Sequence, residues 1–225
     1  SGRGIWVTDA WGEDCVEIGS LTGEGDVRRH GEGRLGRVLE LNSSPDGSKV
    51  AIASHDGAVS VLDTESGAIE SVGHSLQGDA SGLAFSPDAR YLVWREPVGD
   101  ETELGRLVGF DLTERRRFEL TRGQFNDFSP AFSTDGRYLA FLSSRTIDPS
   151  YDELGFDLAF TNTIRPWIVP LSAEDPVPFG PAADGWPPAD PDDKSDKTDE
   201  PGSAKEAGGK GEPESAAIVF DTHGV

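Results

Sequence analysis

The side chains that could do chemistry are few and scattered. The four histidines, His30, His55, His74 and His223, fall into no H-x-H or H-E-x-x-H spacing, so nothing in the order of residues gathers them around a metal. They read as solvated loop histidines. Cys15 has no Cys or His at ligand spacing and sits in a strand-like run, which fits a small buried hydrophobe better than a nucleophile. No G-x-S-x-G elbow, Walker loop or paired-cysteine motif occurs. The sequence therefore nominates no catalytic residue, no cofactor-binding residue and no metal ligand.

Two charged groups remain. Asp148, Asp152, Glu153 and Asp157 surround Tyr151 in a long connection, but they lack the alternate, glycine-containing spacing of short calcium loops, and a solvated acidic loop is expected. Phe156, Leu158 and Phe160 alternate with small or polar neighbours there, which reads as an extra strand with a structural or channel-lining role. Arg145, Arg165 and the run Arg115 to Arg117 have the planar donor fork that binds carboxylates. With 41 acidic and 20 basic residues in the chain, pairing with Asp and Glu is the expected use of those forks.

The elements that must carry these residues show up as a repeat. Ser44-Pro45-Asp46-Gly47, Ser86-Pro87-Asp88-Ala89 and Ser133-Thr134-Asp135-Gly136 recur at one spacing and then at a slightly longer one, and each is followed by an apolar run ending Ile52, Trp94 or Phe141. A repeat of about 40 to 50 residues is the length of one four-stranded propeller blade. Ser-Pro-Asp-Gly supplies the fixed φ, the side-chain acceptor and the positive-φ residue of a tight turn, so strands are expected on both sides of it. The reading is all-β: a β-propeller of four-stranded antiparallel blades forming a partial ring, with about three full blades and terminal scraps.

The expected divisions are a partial first blade at 1–34 and blades at 35–77, 78–123 and 124–183. Ile5–Thr8 and Cys15–Ile18 read as the third and fourth strands of the partial blade, and Val177–Phe179 as a weak fourth strand of the last. Residues 184–216 form a Pro- and Gly-rich insertion that holds too little apolar surface to offset the entropy of ordering, and 217–225 begin another blade.

Charge and hydropathy narrow the partners. A net charge of -21 opposes phosphate backbones and anionic headgroups, and no basic patch offsets it, so neither nucleic acid nor membrane is an expected partner. No apolar stretch approaches the roughly 20 residues of a membrane-spanning helix. A lone cysteine fits a reducing compartment or a fold that needs no staple. The chain contains no methionine, which reads as a piece of a larger polypeptide.

The run Gly123-Gln124-Phe125-Asn126-Asp127-Phe128-Ser129-Pro130 through Arg145-Thr146, with Asp148-Pro149, Tyr151-Asp152-Glu153 and Trp167-Ile168-Val169-Pro170-Leu171, resembles the second, seven-bladed-type β-propeller of the tricorn protease family. The Ser-Pro-Asp-Gly element alone is shared with TolB- and WD40-like repeats. The resemblance implies a non-catalytic segment of a large, cytoplasmic, homo-oligomeric serine peptidase, a hydrolase whose catalytic residues lie outside this stretch. It implies a channel that admits and size-selects peptides for degradation downstream of the proteasome or similar proteases, with peptide substrates and the remaining domains of the parent chain as partners. An acidic channel wall would favour cationic peptide ends. The alternatives are a TolB-like propeller acting as a protein-binding scaffold and the propeller of a prolyl-oligopeptidase-like hydrolase.

Overall fold

The computed structural model describes residues 2–178, apart from Glu24, 100–103, 147–148, 153–156, 161–162, Glu174 and Val177. Every regular element described is a strand. The first sheet holds β1 (Arg3–Thr8), β2 (Cys15–Ser20) and β3 (Arg28–His30). The second holds β4 (Val38–Ser43), β5 (Lys49–Ser54), β6 (Ala58–Asp63) and β7 (Ile69–His74). The third holds β8 (Ser81–Phe85), β9 (Tyr91–Pro97), β10 (Gly105–Asp111) and β11 (Arg116–Glu119). In the fourth, β12 (Asp127–Phe132) and β13 (Tyr138–Ser143) pair with β16 (Arg165–Pro170), while β14 (Pro149–Asp152) and β15 (Asp157–Phe160) form a separate hairpin. Within each sheet, neighbouring strands are antiparallel and consecutive in the chain apart from that hairpin.

The sheets stack face to face, and the two-residue period of the strands accounts for the stack. Val50 and Ile52 of β5 join Val16, Ile18 and Leu62 in the core between the first and second sheets. Their alternates Ala51 and Ala53 point the other way, into the core that Leu92 and Trp94 of β9 share between the second and third sheets. The alternates Tyr91 and Val93 in turn meet Leu139 and Phe141 between the third and fourth. Each central strand is thus apolar on both faces, which explains runs such as Val50-Ala51-Ile52-Ala53 that show no alternation.

The repeated turns are built alike. The hydroxyls of Ser44, Ser86 and Ser133 donate to Asp46 at 2.6 Å, Asp88 at 2.5 Å and Asp135 at 2.6 Å. The same hydroxyls accept the amides of Lys49, Tyr91 and Tyr138, each at 2.9 Å. The residue before the second strand, Ser48, Arg90 or Arg137, also donates its amide to the Asp. Gly47 and Gly136 take φ of 70° and 69° at the turn's last corner, and the second copy places Ala89 there at 55°.

The structure revises one expectation. Ile5–Thr8 and Cys15–Ile18 lie in β1 and β2, the first two strands of a sheet of three described strands whose further outer member is β3, so they are not its last two. The signal was missed because Arg28-Arg29-His30 is a short, charged edge strand with no apolar residue to mark it. The fourth sheet has three described strands, and Val177–Phe179, the insertion 184–216 and Ala217–Phe220 lie largely or wholly outside the described residues.

Candidate functional site

The first strands β4, β8 and β12 of three successive sheets lie beside one another. They are joined by side-chain hydrogen bonds as well as by packing. Glu40 of β4 accepts the amides of Gly82 at 2.7 Å and Leu83 at 2.8 Å, and Asn42 donates to the Leu83 carbonyl at 2.6 Å. Those amides are available because β8 bulges between Ser81 and Ala84, where two residues face one on β9. At the equivalent place in β12 the bulge lies between Phe128 and Ala131, with Ser129 at φ 51° as Gly82 is at 68°. Pro130, which stands where β8 has Leu83, removes a donor that no carboxylate from β8 could meet. Leu39, Ser43, Ser129 and Ala131 are the exposed side chains of these three strands. They are uncharged.

At the end of the stack where outermost strands hand over to the next innermost strand, a pocket of about 410 Å³ opens between the third and fourth sheets. Its floor is the end of their shared core: Leu120, Phe141 and Val169. One side is the connection from Glu119 to Phe125, and the other carries Asp127 and Arg145. Asp127 is 1% exposed. It accepts Arg145 Nη2 at 2.8 Å, Arg145 Nε at 3.3 Å and the Ser143 hydroxyl, while Ser143 Oγ also accepts Arg145 Nε at 2.9 Å. The guanidinium lies 5.2 Å from the ring of Phe125, 5.3 Å from Phe141 and 5.0 Å from Trp167, within cation–π range of all three. No bond from Arg145 Nη1 or from Arg122 to a described residue is present.

A second buried carboxylate stands on the adjacent sheet at the same end. Glu96, which occupies in β9 the place of Ser143 in β13, is 3% exposed. It accepts Arg117 at 2.7 Å, Arg106 at 3.1 Å and the Trp94 indole at 3.1 Å. Arg106 also donates to Glu119 on the pocket rim at 2.9 Å, so both carboxylates that line the pocket are paired.

The sequence singled out several residues that this site does not use. Cys15 is fully buried, and burial pushes its thiol up, with Glu17 adding to the effect. His30 lies half-buried against Gly67, and burial lowers its pKa. No group of three or more His, Cys, Asp or Glu able to hold a metal occurs among the described residues. Asp152 and Asp157 are Cα partners in the β14–β15 register, and Asp148 and Glu153 lie outside the described residues. Of the arginines, Arg145 pairs with Asp127, Arg115 with Glu70 and Arg117 with Glu96. Sequence reasoning missed Asp127 and Glu96 as buried anchors. The available signal was a carboxylate at a position where the sister repeat carries Ala80 or Ser54.

Residues 2–218 match the family described as the tricorn protease second beta propeller domain. The chain is 49% identical over 191 residues to tricorn protease homolog 1 of Streptomyces coelicolor, covering 84% of this chain and 18% of that protein. It is 31% identical over 154 residues to the tricorn protease of Thermoplasma volcanium, covering 66% of this chain and 15% of that protein. A crystal structure of the tricorn protease superposes with a TM-score of 0.72 at 22% identity, over 78% of this chain and 17% of the other. The last likeness speaks to fold. The chain spans less than a fifth of the length of each of these relatives. No helix among the described residues is long and apolar enough to cross a membrane.

Proposed function

Since this chain belongs to the tricorn protease family, as a second β-propeller domain, we propose that it forms part of the wall of a channel that admits and size-selects peptides. The chemistry belongs to the rest of a cytoplasmic, homo-oligomeric serine peptidase, and this domain contributes none of the reacting groups. The observation that carries the reading is the row of first strands β4, β8 and β12. Blades arranged about an axis leave a hole lined by their first strands, and only an extended chain threads it.

The lining fits passage rather than capture. Leu39, Ser43, Ser129 and Ala131 present an uncharged surface with no strong anchor for any one side chain. Glu40 locks two strands together instead of facing a substrate as a free charge. Size and chain extension, more than charge, then decide what enters at this surface.

The test is obstruction in the full-length peptidase. Ser43→Cys and Ala131→Cys, each alkylated with a bulky maleimide, place a plug on the lining, and Cys15 stays silent because it is fully buried. Hydrolysis of peptides of about ten residues should slow several-fold relative to a tripeptide substrate. Equal slowing of both, or of neither, would overturn the channel.

A further inference from the structure

The pocket between the third and fourth sheets has features that a passive wall does not need. It joins an apolar floor to two arginines, and the two carboxylates on its lining are already neutralised: Asp127 by Arg145 and Ser143, and Glu119 by Arg106. Arg122 lines the same pocket with no described partner, and Arg145 is held by one edge only, with Nη1 left over. A chain of net charge -21 otherwise repels anions. Arg122, with no partner among the described residues, and the free edge of Arg145 are therefore a selective feature inside that field rather than part of a general attraction.

We infer that this pocket binds a peptide carboxylate, with Arg122 and the free edge of Arg145 as its donors and Phe125 and Val169 as the surface against which the neighbouring apolar side chain rests. The inference rests on the peptide-channel reading and adds an orientation to it. Each component has a physical role. Asp127 fixes the Arg145 fork in place, so little side-chain freedom is lost on binding. The three aromatic faces hold the guanidinium in a partly water-excluded setting, where a charge-assisted hydrogen bond is stronger than at an open surface. Asp127 of the lining is the first residue of β12, an innermost strand, and Phe125 lies two residues before it, so the pocket stands at one mouth of the proposed channel. A chain held there by its carboxylate would lie with its body toward the lining.

The carboxylate has two possible sources, the terminal group of the peptide or an Asp or Glu side chain. Three peptides of one sequence separate them in the full-length peptidase: a free carboxyl terminus, a carboxamide, and a carboxamide with Glu as the last residue. The expected KM for the free carboxylate is about ten-fold below that of the plain carboxamide, a difference of about 1.4 kcal/mol. The Glu carboxamide falls with the free acid if side chains are accepted, and with the plain amide if only the terminus is. Arg122→Ala should reduce the ten-fold ratio to below two-fold, and Arg122→Lys should retain part of it. Arg116→Ala, which removes an exposed charge on β11 away from the pocket, should leave the ratio as it was. Raising salt should shrink the wild-type ratio. Equal KM values for acid and amide in the wild-type enzyme, or a ratio that survives Arg122→Ala, would overturn the site. Either outcome leaves the length discrimination of the channel intact, so failure of the pocket is separable from failure of the channel.

Discussion

The interface between the second and third sheets and the interface between the third and fourth are built from equivalent strands and end differently. In the first, Trp94 is fully buried, and Gly73 opposite it leaves the space its indole needs: a Cβ there would stand 2.6 Å from the ring. In the second, register puts Phe141 where Trp94 stands, Asp127 where Ala80 stands and Arg145 where Val98 stands. One interface is packed to its end, and the other stops short and leaves a pocket of about 410 Å³ with a charged rim. The repeat maintains the scaffold, and the departures from it set the two interfaces apart.

The largest expected effect tests the packed side. Trp94→Ala should cost about 3 to 5 kcal/mol, because the cavity is enclosed by Ala51, Ala53 and Val108 and cannot collapse. Urea unfolding followed by circular dichroism measures it, and a loss below about 1 kcal/mol would show that the interface is not closed by that ring.

Asp127→Ala comes next. It strands Arg145 beside three aromatic rings and should cost about 3 kcal/mol, with Arg145→Ala in the same chain restoring part of the loss. Additive losses in that double-mutant cycle would mean the pair is not coupled. Phe141→Trp moves the closed interface's residue into the open one. Overpacking should cost about 1 to 3 kcal/mol while removing the difference between carboxylate and carboxamide peptides. A variant that keeps that difference would place the ligand elsewhere.

Smaller effects lie in the repeated turns. Burial alone would raise the Asp46 carboxyl, but hydrogen bonds from Ser44 and from the amide and hydroxyl of Ser48 outweigh it and bring the pKa to about 2. Because the folded value is depressed below 3.8, the turn's contribution is complete above pH 4 and is lost as pH falls toward 2. The stability gap between wild type and Asp46→Asn should close over that window. At this exposed turn it should amount to less than about 1 kcal/mol at neutral pH. The smallest change is at Ala89, whose positive φ glycine adopts without strain. Ala89→Gly should gain about 0.5 kcal/mol, and a loss would show that the methyl's burial outweighs the backbone strain.

The fold was legible because the turn chemistry repeats. Ser44, Ser86 and Ser133 each sit two residues before an Asp and five before the amide they accept, so a pattern of types reports a pattern of bonds. Strands without apolar residues, such as Arg28–His30, left no such mark. The candidate site was less legible. Arg145 was visible as a fork and its pairing was expected, but its partner Asp127 lies 18 residues earlier, on a strand brought alongside only by the β12–β13 pairing. Glu96 likewise gathers Arg106 and Arg117 from two neighbouring strands, which no local spacing encodes. The uncharged exposed side chains of β4, β8 and β12 were not legible either, because net charge says nothing about which face carries it.

The most direct test of the channel is the length dependence of hydrolysis by the full-length peptidase before and after alkylation of Ala131→Cys. The lining predicts that peptides of about ten residues slow several-fold while tripeptides keep their rate. Unchanged rates for the long peptides, with the plug shown to be in place by mass spectrometry, would mean that substrates do not pass along β4, β8 and β12.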